Sequence, residues 1–594
     1  MDRAEIAFWT ARIAIIFAIP AGLCPAAIAQ TDSPIGTIHV AAAHFTTVGT
    51  NLICDGADNP LPFTQSAVKQ STAPALPGPN PRVPYFTVRF AMPIPPENET
   101  NTFASLTGLS PSVFTHNHSP GFAILPNGDA LAIYFSTPPG QSEDSTNTTF
   151  IQTRLRYGSE DWDMPDLFLD FKGLNDQSGL LWQDGDKTRF FGGGRGASAM
   201  MPFKMATSGD NGATWTLSLP QVDQPAKNYE AQPITSAFRA PDGSWYFAMD
   251  GSGAHSFLWH STNEGVQWHQ MEGRTGGRHS TIVPLDDRGD LLSIGGKNAS
   301  VNGWSPENFS TNWGASWSES IESPFPPLSS GQRPSMIRLA DGNLFFVSDA
   351  YLHKAHRPPP AGWKYGNGCF VAISTNNGVS WRVKPLPVQL PGHDRPGDGT
   401  LGYVTARQAP NGVIYVLTSE TQPCLQYEMN EAWIFSDAGD IAPENSGGVV
   451  KQFSEAYPDG KPRSTWSARI CPNGRYLLDG RETDYYDGKV KQHEVVYVNG
   501  RKTGQEIYWS PDGKLIWRWD YDLAVHHAIW SQFWPNGKKK SESNWNIQSR
   551  ARDLARSFFG YVAEGPAFRW DEDGKLVSAG NFTNGIFVGK VGEE

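Results

Sequence analysis

Ser208-Gly-Asp210-Asn-Gly212-Ala-Thr-Trp215 is the stretch on which the fold turns, because the chain writes it three more times. The copies are Ser261-Thr-Asn263-Glu-Gly265-Val-Gln-Trp268, Ser310-Thr-Asn312-Trp-Gly314-Ala-Ser-Trp317 and Ser374-Thr-Asn376-Asn-Gly378-Val-Ser-Trp381. Each has the chemistry of a hairpin tip. The Asp or Asn side chain bonds back to the turn backbone, the Gly takes a positive φ, and the Ser hydroxyl and Trp ring pin the turn onto its sheet. Copies stand roughly 50–65 residues apart, enough chain for a four-stranded unit. A second periodic signal runs beside the first. Apolar runs meet in tight turns at Asn127-Gly128, Asp184-Gly185, Asp242-Gly243, Arg288-Gly289, Asp341-Gly342 and Asn411-Gly412, and each reads as a β-hairpin. Six such turns predict an all-β chain built on a six-bladed β-propeller over residues 105–440, with flanks able to supply a seventh blade.

Past residue 450 the rhythm shortens. Tyr457-Pro-Asp-Gly460-Lys, Tyr486-Asp-Gly488-Lys, Trp509-Ser-Pro-Asp-Gly513-Lys, Trp534-Pro-Asn-Gly537-Lys and Trp570-Asp-Glu-Asp-Gly574-Lys recur about every 25 residues. With runs such as Glu494-Val-Val-Tyr-Val-Asn-Gly500, this segment resembles MORN-type hairpin repeats. The resemblance implies a stacked β-hairpin module over 441–594, separate from the propeller, acting as a stabilising cap or a glycan binder.

Composition agrees with many short strands: aromatic residues make 12%, with 21 Trp, charged residues only 18%, and Gly 60 and Pro 46 punctuate the chain. Net charge is −12 without a basic stripe, which argues against nucleic acid as a partner. Arg3 and Arg12 flank the start of an apolar run, Ile13 to Leu23, and Ala27-Ile28-Ala29 offers a cleavage site. Residues 1–29 therefore read as a secretory signal peptide followed by a lead-in over 30–104, with a secreted or periplasmic destination and no stable membrane span once the signal is removed. Cys54, Cys369, Cys424 and Cys471 allow three pairings. None stands in a CxxC or His-rich cluster, so no metal and no cofactor is expected.

In a propeller the innermost strand of every blade starts near the axis, on one face. Counting back about ten residues from each turn glycine reaches His116-Asn117-His118, Asp176-Gln177, Gln232, Arg278-His279, Gln332-Arg333 and Tyr403. Every window supplies a polar or ionisable side chain ahead of an apolar strand, as a ring of site residues would.

The four Ser/Asp/Gly/Trp copies resemble the Asp boxes of the sialidase superfamily, over residues 110–435. In that family the boxes are structural, which implies such a role for Asp210, Asn263, Asn312 and Asn376. The resemblance also implies an exported glycosidase for an acidic glycan, with an arginine triad, a Tyr/Glu nucleophile pair and an Asp acid. Arg278 and Arg333 then hold a carboxylate, Tyr403 or Tyr427 pairs with Glu431, Asp176 is the acid, and Gln232 binds substrate. Where sialidases carry an Arg-Ile-Pro signature this chain has His116-Asn117-His118-Ser119-Pro120, and a histidine does not clamp a carboxylate bidentately. Neighbouring histidines suit uronate β-elimination, with His118 or His279 as base and Tyr403 as acid or second base. Hydrolysis leads by resemblance, the lyase is the alternative, and a non-catalytic glycan-binding propeller is the third reading. Gly192-Gly-Gly-Arg-Gly196 follows an aromatic strand in an all-β setting and is not read as a phosphate cradle.

Overall fold

The computed structural model describes residues 36–39, 43–48, 51–57, 78–92, 100–114, 116–194, 198–352, 357–387, 400–419, 424–441, 447–547 and 562–591. The expected leader, residues 1–29, lies outside the described residues. Six antiparallel sheets form the propeller. Their innermost strands are His116–Ile124, Gln177–Asp184, Tyr229–Arg239, Thr281–Pro284, Ser335–Arg338 and Thr405–Gln408. Each runs into the tight turn whose Asn-Gly or Asp-Gly marks it in the sequence. Among the described residues no helix is long and apolar enough to cross a membrane.

The four repeated turns fold alike. The Ser208, Ser261, Ser310 and Ser374 hydroxyls accept from the amides of Gly212, Gly265, Gly314 and Gly378 at 2.8–3.0 Å. Asp210, Asn263, Asn312 and Asn376 accept from the amide four residues on, at 2.8–3.0 Å. The glycines have φ of 79°, 83°, 82° and 88°. A Cβ there would press on the preceding blade, near Leu131, Met205, Leu258 and Leu292 respectively. The repeat therefore closes its own turn and seats it on its neighbour, which is why glycine is needed at that position.

The sixth blade is completed by an early strand. Phe86–Met92 pairs antiparallel with Cys424–Met429, Phe86 opposite Met429, so residues placed in the lead-in by sequence belong to the propeller and close its ring. Gly36–His39 widens the second blade, and Ala43–Val48 with Asn51–Ala57 widens the first. No seventh sheet joins the ring among the described residues.

A twelve-stranded antiparallel sheet, Val449–Ala456 through Ile586–Gly589, follows in nearly sequential order. Its strands alternate exposed and buried, and Tyr508, Trp517, Trp519, Trp530 and Trp545 line the inner face. That face is not independent of the propeller. One apolar cluster joins it to Phe122, Ile124 and Leu155 of the first blade and Ala409, Val413 and Tyr415 of the sixth, so the tail covers the seam where the ring closes. The helix Thr100–Thr107 packs on the same sheet, and the Ser543 hydroxyl donates to Thr107 O at 3.0 Å.

Candidate active site

The starts of the six inner strands converge on one polar cavity of about 280 Å³, lined among others by Glu143, Gln177, Glu230, Gln232, Arg278, Lys297 and Tyr403. The backbone is strained where it enters. Ser119, Ser178 and His279 hold φ of 50°, 58° and 56° at the starts of blades one, two and four, a conformation that non-glycine residues adopt at a cost and keep where the surroundings enforce it.

Tyr403 lies at the base. Its hydroxyl is 2.8 Å from His279 Nε2 and accepts a very short hydrogen bond from Lys297 Nζ. Behind it, the His279 amide donates to Asp250 Oδ1 at 2.7 Å. His279 Nδ1 lies 2.7 Å from Asp250 Oδ2, too oblique for an aligned hydrogen bond. Burial, reinforced by Lys297 and Arg333, pulls the His279 pKa down to about 3 against the pull of Asp250, so the ring is neutral at neutral pH. Asp250 is held near 2: burial opposes ionisation, but His279 and Arg278 outweigh it. The neutral imidazole meets the Tyr403 hydroxyl through Nε2, with the Asp250 carboxylate close to its other nitrogen. The Arg333 guanidinium sits 5.1 Å from the Tyr403 ring centroid and the Lys297 ammonium 4.8 Å.

Around this base runs a chain of side-chain bonds. His116 Nε2 meets Glu143 Oε1 at 2.8 Å, and Gln177 Nε2 donates to Glu143 Oε2 at 3.0 Å. Gln232 donates to Gln177 at 3.1 Å and accepts from Arg278 Nη2 at 2.8 Å, while Arg278 Nε reaches Asp250 at 3.2 Å. Burial pushes the Glu143 carboxyl up, but the His116 bond and charge hold it below its ordinary value. Arg278 keeps Nη1 for a ligand.

Several expected residues stand elsewhere. Asp176 turns away from the cavity and is buried against Lys204 Nζ at 2.7 Å and the Phe171 amide at 2.7 Å. Burial raises its pKa to about 7 despite that lysine. The strand begins at Gln177, whose side chain faces the cavity, while Asp176, just ahead of it, is drawn into the blade by Lys204 and the Phe171 amide. Glu431 opens a short helix, Glu431–Phe435, and accepts from Asn343 at 2.7 Å. Asn343 follows the Asp341-Gly342 turn, so Glu431 lies at the turn end of the blades, opposite the site. Tyr427 is buried in the sixth blade beside Phe86. Arg333, 1% exposed, donates to Ser119 Oγ, Pro120 O and Thr405 Oγ1 at 3.0–3.3 Å beneath Tyr403. His118, also buried, bonds Ser419 Oγ at 2.8 Å and lies with its ring tilted against that of Tyr403, centroids 3.9 Å apart; burial drives its pKa well below that of a free histidine. Both support the tyrosine from below.

Sequence reasoning missed Lys297, Asp250, Glu143 and Glu230. Lys297 carried a signal. It follows Gly295-Gly296 at the end of the strand Leu291–Ile294, and a Cβ on Gly296 would lie 1.8 Å from Arg278 O. Only glycine lets that strand end run beside Arg278 and bring Lys297 to the tyrosine. The same reasoning explains Gly193 and Gly194, whose Cβ positions collide with Ala231 O and Asn175 O: the glycine run serves close backbone approach. Among the described residues no cluster of three His, Cys, Asp or Glu side chains is placed to hold a metal ion.

These observations define the class: a six-bladed β-propeller with Asp-box turns and an axial polar pocket, followed by a hairpin-repeat sheet. Residues 527–546 and 563–584 match the MORN repeat variant family. No curated protein matches the chain in sequence. Solved structures similar in fold include a protein of unknown function from Dyadobacter fermentans, 14% identical over 58% of this chain and 99% of that one, TM-score 0.41. A mutant of the NanB sialidase from Streptococcus pneumoniae is 12% identical over 58% and 70%, TM-score 0.41. A Trypanosoma rangeli sialidase mutant displaying trans-sialidase activity is 13% identical over 85% and 90%, TM-score 0.38.

Proposed function

We propose that this chain is an exported glycan-cleaving enzyme that acts on a uronate-containing polysaccharide by β-elimination. The observation that supports it is the Tyr403 hydroxyl, set between His279 Nε2 and the Lys297 ammonium at the base of the axial pocket. A retaining sialidase needs a glutamate against its tyrosine and three arginines on the substrate carboxylate. Here the Tyr403 hydroxyl meets a histidine and a lysine, and Arg278 lines the pocket.

In the proposed reaction Arg278 Nη1 and Lys297 neutralise the C5 carboxylate, which acidifies the C5 proton. Tyr403, as phenolate, takes that proton. The C5–H electron pair forms the C4–C5 double bond, the C4–O bond breaks, and Tyr403 returns the proton to the departing oxygen. The enzyme ends as it began. Asp250 holds His279 beside the tyrosine, where the neutral ring meets the Tyr403 oxygen through Nε2. The cavity, near the lower end of the roughly 300–1,000 Å³ usual for small-ligand pockets, suits about one sugar unit at the base.

Glu143 and Glu230 both line the pocket, and a hydrolytic reading rests on that carboxylate pair. The two separate in one assay on uronate polysaccharides. The lyase generates new reducing ends together with absorbance near about 235 nm from the unsaturated product, and Tyr403→Phe loses both. Reducing ends without absorbance refute the elimination and move the chemistry to the carboxylates. Silence on both, with binding retained, refutes catalysis and leaves a glycan-binding propeller.

A further inference from the structure

A second cavity, of about 470 Å³, lies at the outer edge of the fourth blade, away from the axis, against the Asn377-Gly378 turn of the fifth. Trp304, Phe309 and Pro324 line it together with Glu307 and Glu322, and no Lys, Arg or His is among the lining residues. The strand Pro306–Ser310 positions Glu307, pairing with Ile294 on one side and Ile321 on the other. Glu307 is 7% exposed, and no hydrogen bond or ion pair reaches its carboxyl among the described residues. Burial alone pushes that carboxyl up to about 7. Its neighbour Asn308 is engaged with the Gly276 amide, Ser318 O and Ser320 Oγ at 2.9–3.0 Å. Phe309 is 37% exposed at the rim, an unusual cost for a large apolar side chain beside an unpaired carboxyl.

A buried carboxylate without a counter-ion costs free energy that a cation restores, and aromatic faces attract ammonium groups. An acidic sugar is repelled by two carboxylates, and a neutral one leaves Glu307 unpaired. A flat aromatic lining also suits the C–H face of a pyranose. We propose that this cavity binds an amino sugar, with Glu307 as counter-ion to its ammonium group and Trp304 and Phe309 as the surface on which the sugar ring rests. The site is separate from the axial pocket and does not depend on the reaction assigned there.

Calorimetric titration of the full chain with a glucosamine tetramer and its fully N-acetylated counterpart tests the assignment. One tetramer binds per chain, and acetylation, which removes the charge, weakens binding roughly tenfold or more. Glu307→Gln and Trp304→Ala each reduce affinity by a similar factor with the melting temperature kept, while Tyr403→Phe leaves it unchanged. Equal binding of the acetylated tetramer, or no binding of either, overturns the proposal. Loss of binding in Tyr403→Phe assigns the ligand to the axial pocket and overturns it as well. A lysine oligomer that binds more tightly, with the same dependence on Glu307, replaces the sugar with a peptide amine.

Discussion

Two buried charge networks in this protein use the same residue types for opposite ends. Where the tail sheet meets the propeller, opposite charges pair off inside the fold. Arg156 donates to Glu482 at 3.0–3.1 Å and to Asp129 at 3.2 Å; Lys502 bonds Asp163 at 2.9 Å and Glu506 at 2.8 Å; and Glu160 joins Arg89 and Arg475. Lys502 is held far above its ordinary pKa: burial opposes its charge, but Asp163 and Glu506 overcome it. In the axial pocket Lys297 meets the Tyr403 phenol and Arg278 divides its guanidinium between the Gln232 amide and Asp250, and both side chains line an open cavity. Saturated charge fixes one sheet against another. Charge that lines an open cavity is the kind the proposed function assigns to a ligand.

That contrast breaks along measurable lines. The largest effect belongs to the pocket: Tyr403→Phe lowers kcat by about 10²–10⁴-fold, the usual worth of acid–base catalysis, without shifting the melting temperature. At the interface the reverse holds. Arg156→Met leaves Asp129 and Glu482 buried without it and costs about 3–5 kcal/mol in denaturant unfolding, with kcat on surviving enzyme unchanged. An equal loss of activity in both variants would erase the distinction.

Acid sharpens the comparison. His279 is neutral in the fold down to about pH 3, whereas in the unfolded chain it takes up that proton near its ordinary value of 6.5. Its contribution to stability is intact above 6.5 and is lost as pH falls toward 3. Asp250, depressed to about 2 from 3.8, adds a further loss between those values. Melting temperature followed from pH 7 to pH 3 therefore declines, and His279→Gln flattens the part above pH 4. A slope unchanged in that variant would place the titration in other groups. The smallest effect belongs to the repeated turns. Asp210→Ala removes acceptors for the Thr214 amide and hydroxyl at 2.9 and 2.7 Å and costs about 1–2 kcal/mol, with activity retained.

Much of the site was legible because propeller geometry converts strand starts into a ring. Counting back from the turn glycines reached Gln232, Arg278, His279 and Tyr403, which the structure brings together. It failed where position alone does not set direction. Asp176 and Gln177 are adjacent, yet Asp176, just ahead of the strand, bonds Lys204 inside the blade, while Gln177, its first residue, lines the cavity. Lys297 and Glu143 enter from segments the count did not sample, an outer strand end and a long loop.

The sequence by itself determined the hairpins and the tail's repeats, and predicted six blades with a seventh left open, because turns, boxes and period-two strands are local: each is decided by residues within a few positions of one another. It also determined which residue types approach the axis. Only the tertiary structure decided that Phe86–Met92 closes the ring, that the tail seals the closing seam, and that Lys297, His279 and Asp250 gather on one tyrosine. Those are contacts between residues far apart in the chain, selected by packing and by the pairing of buried charge.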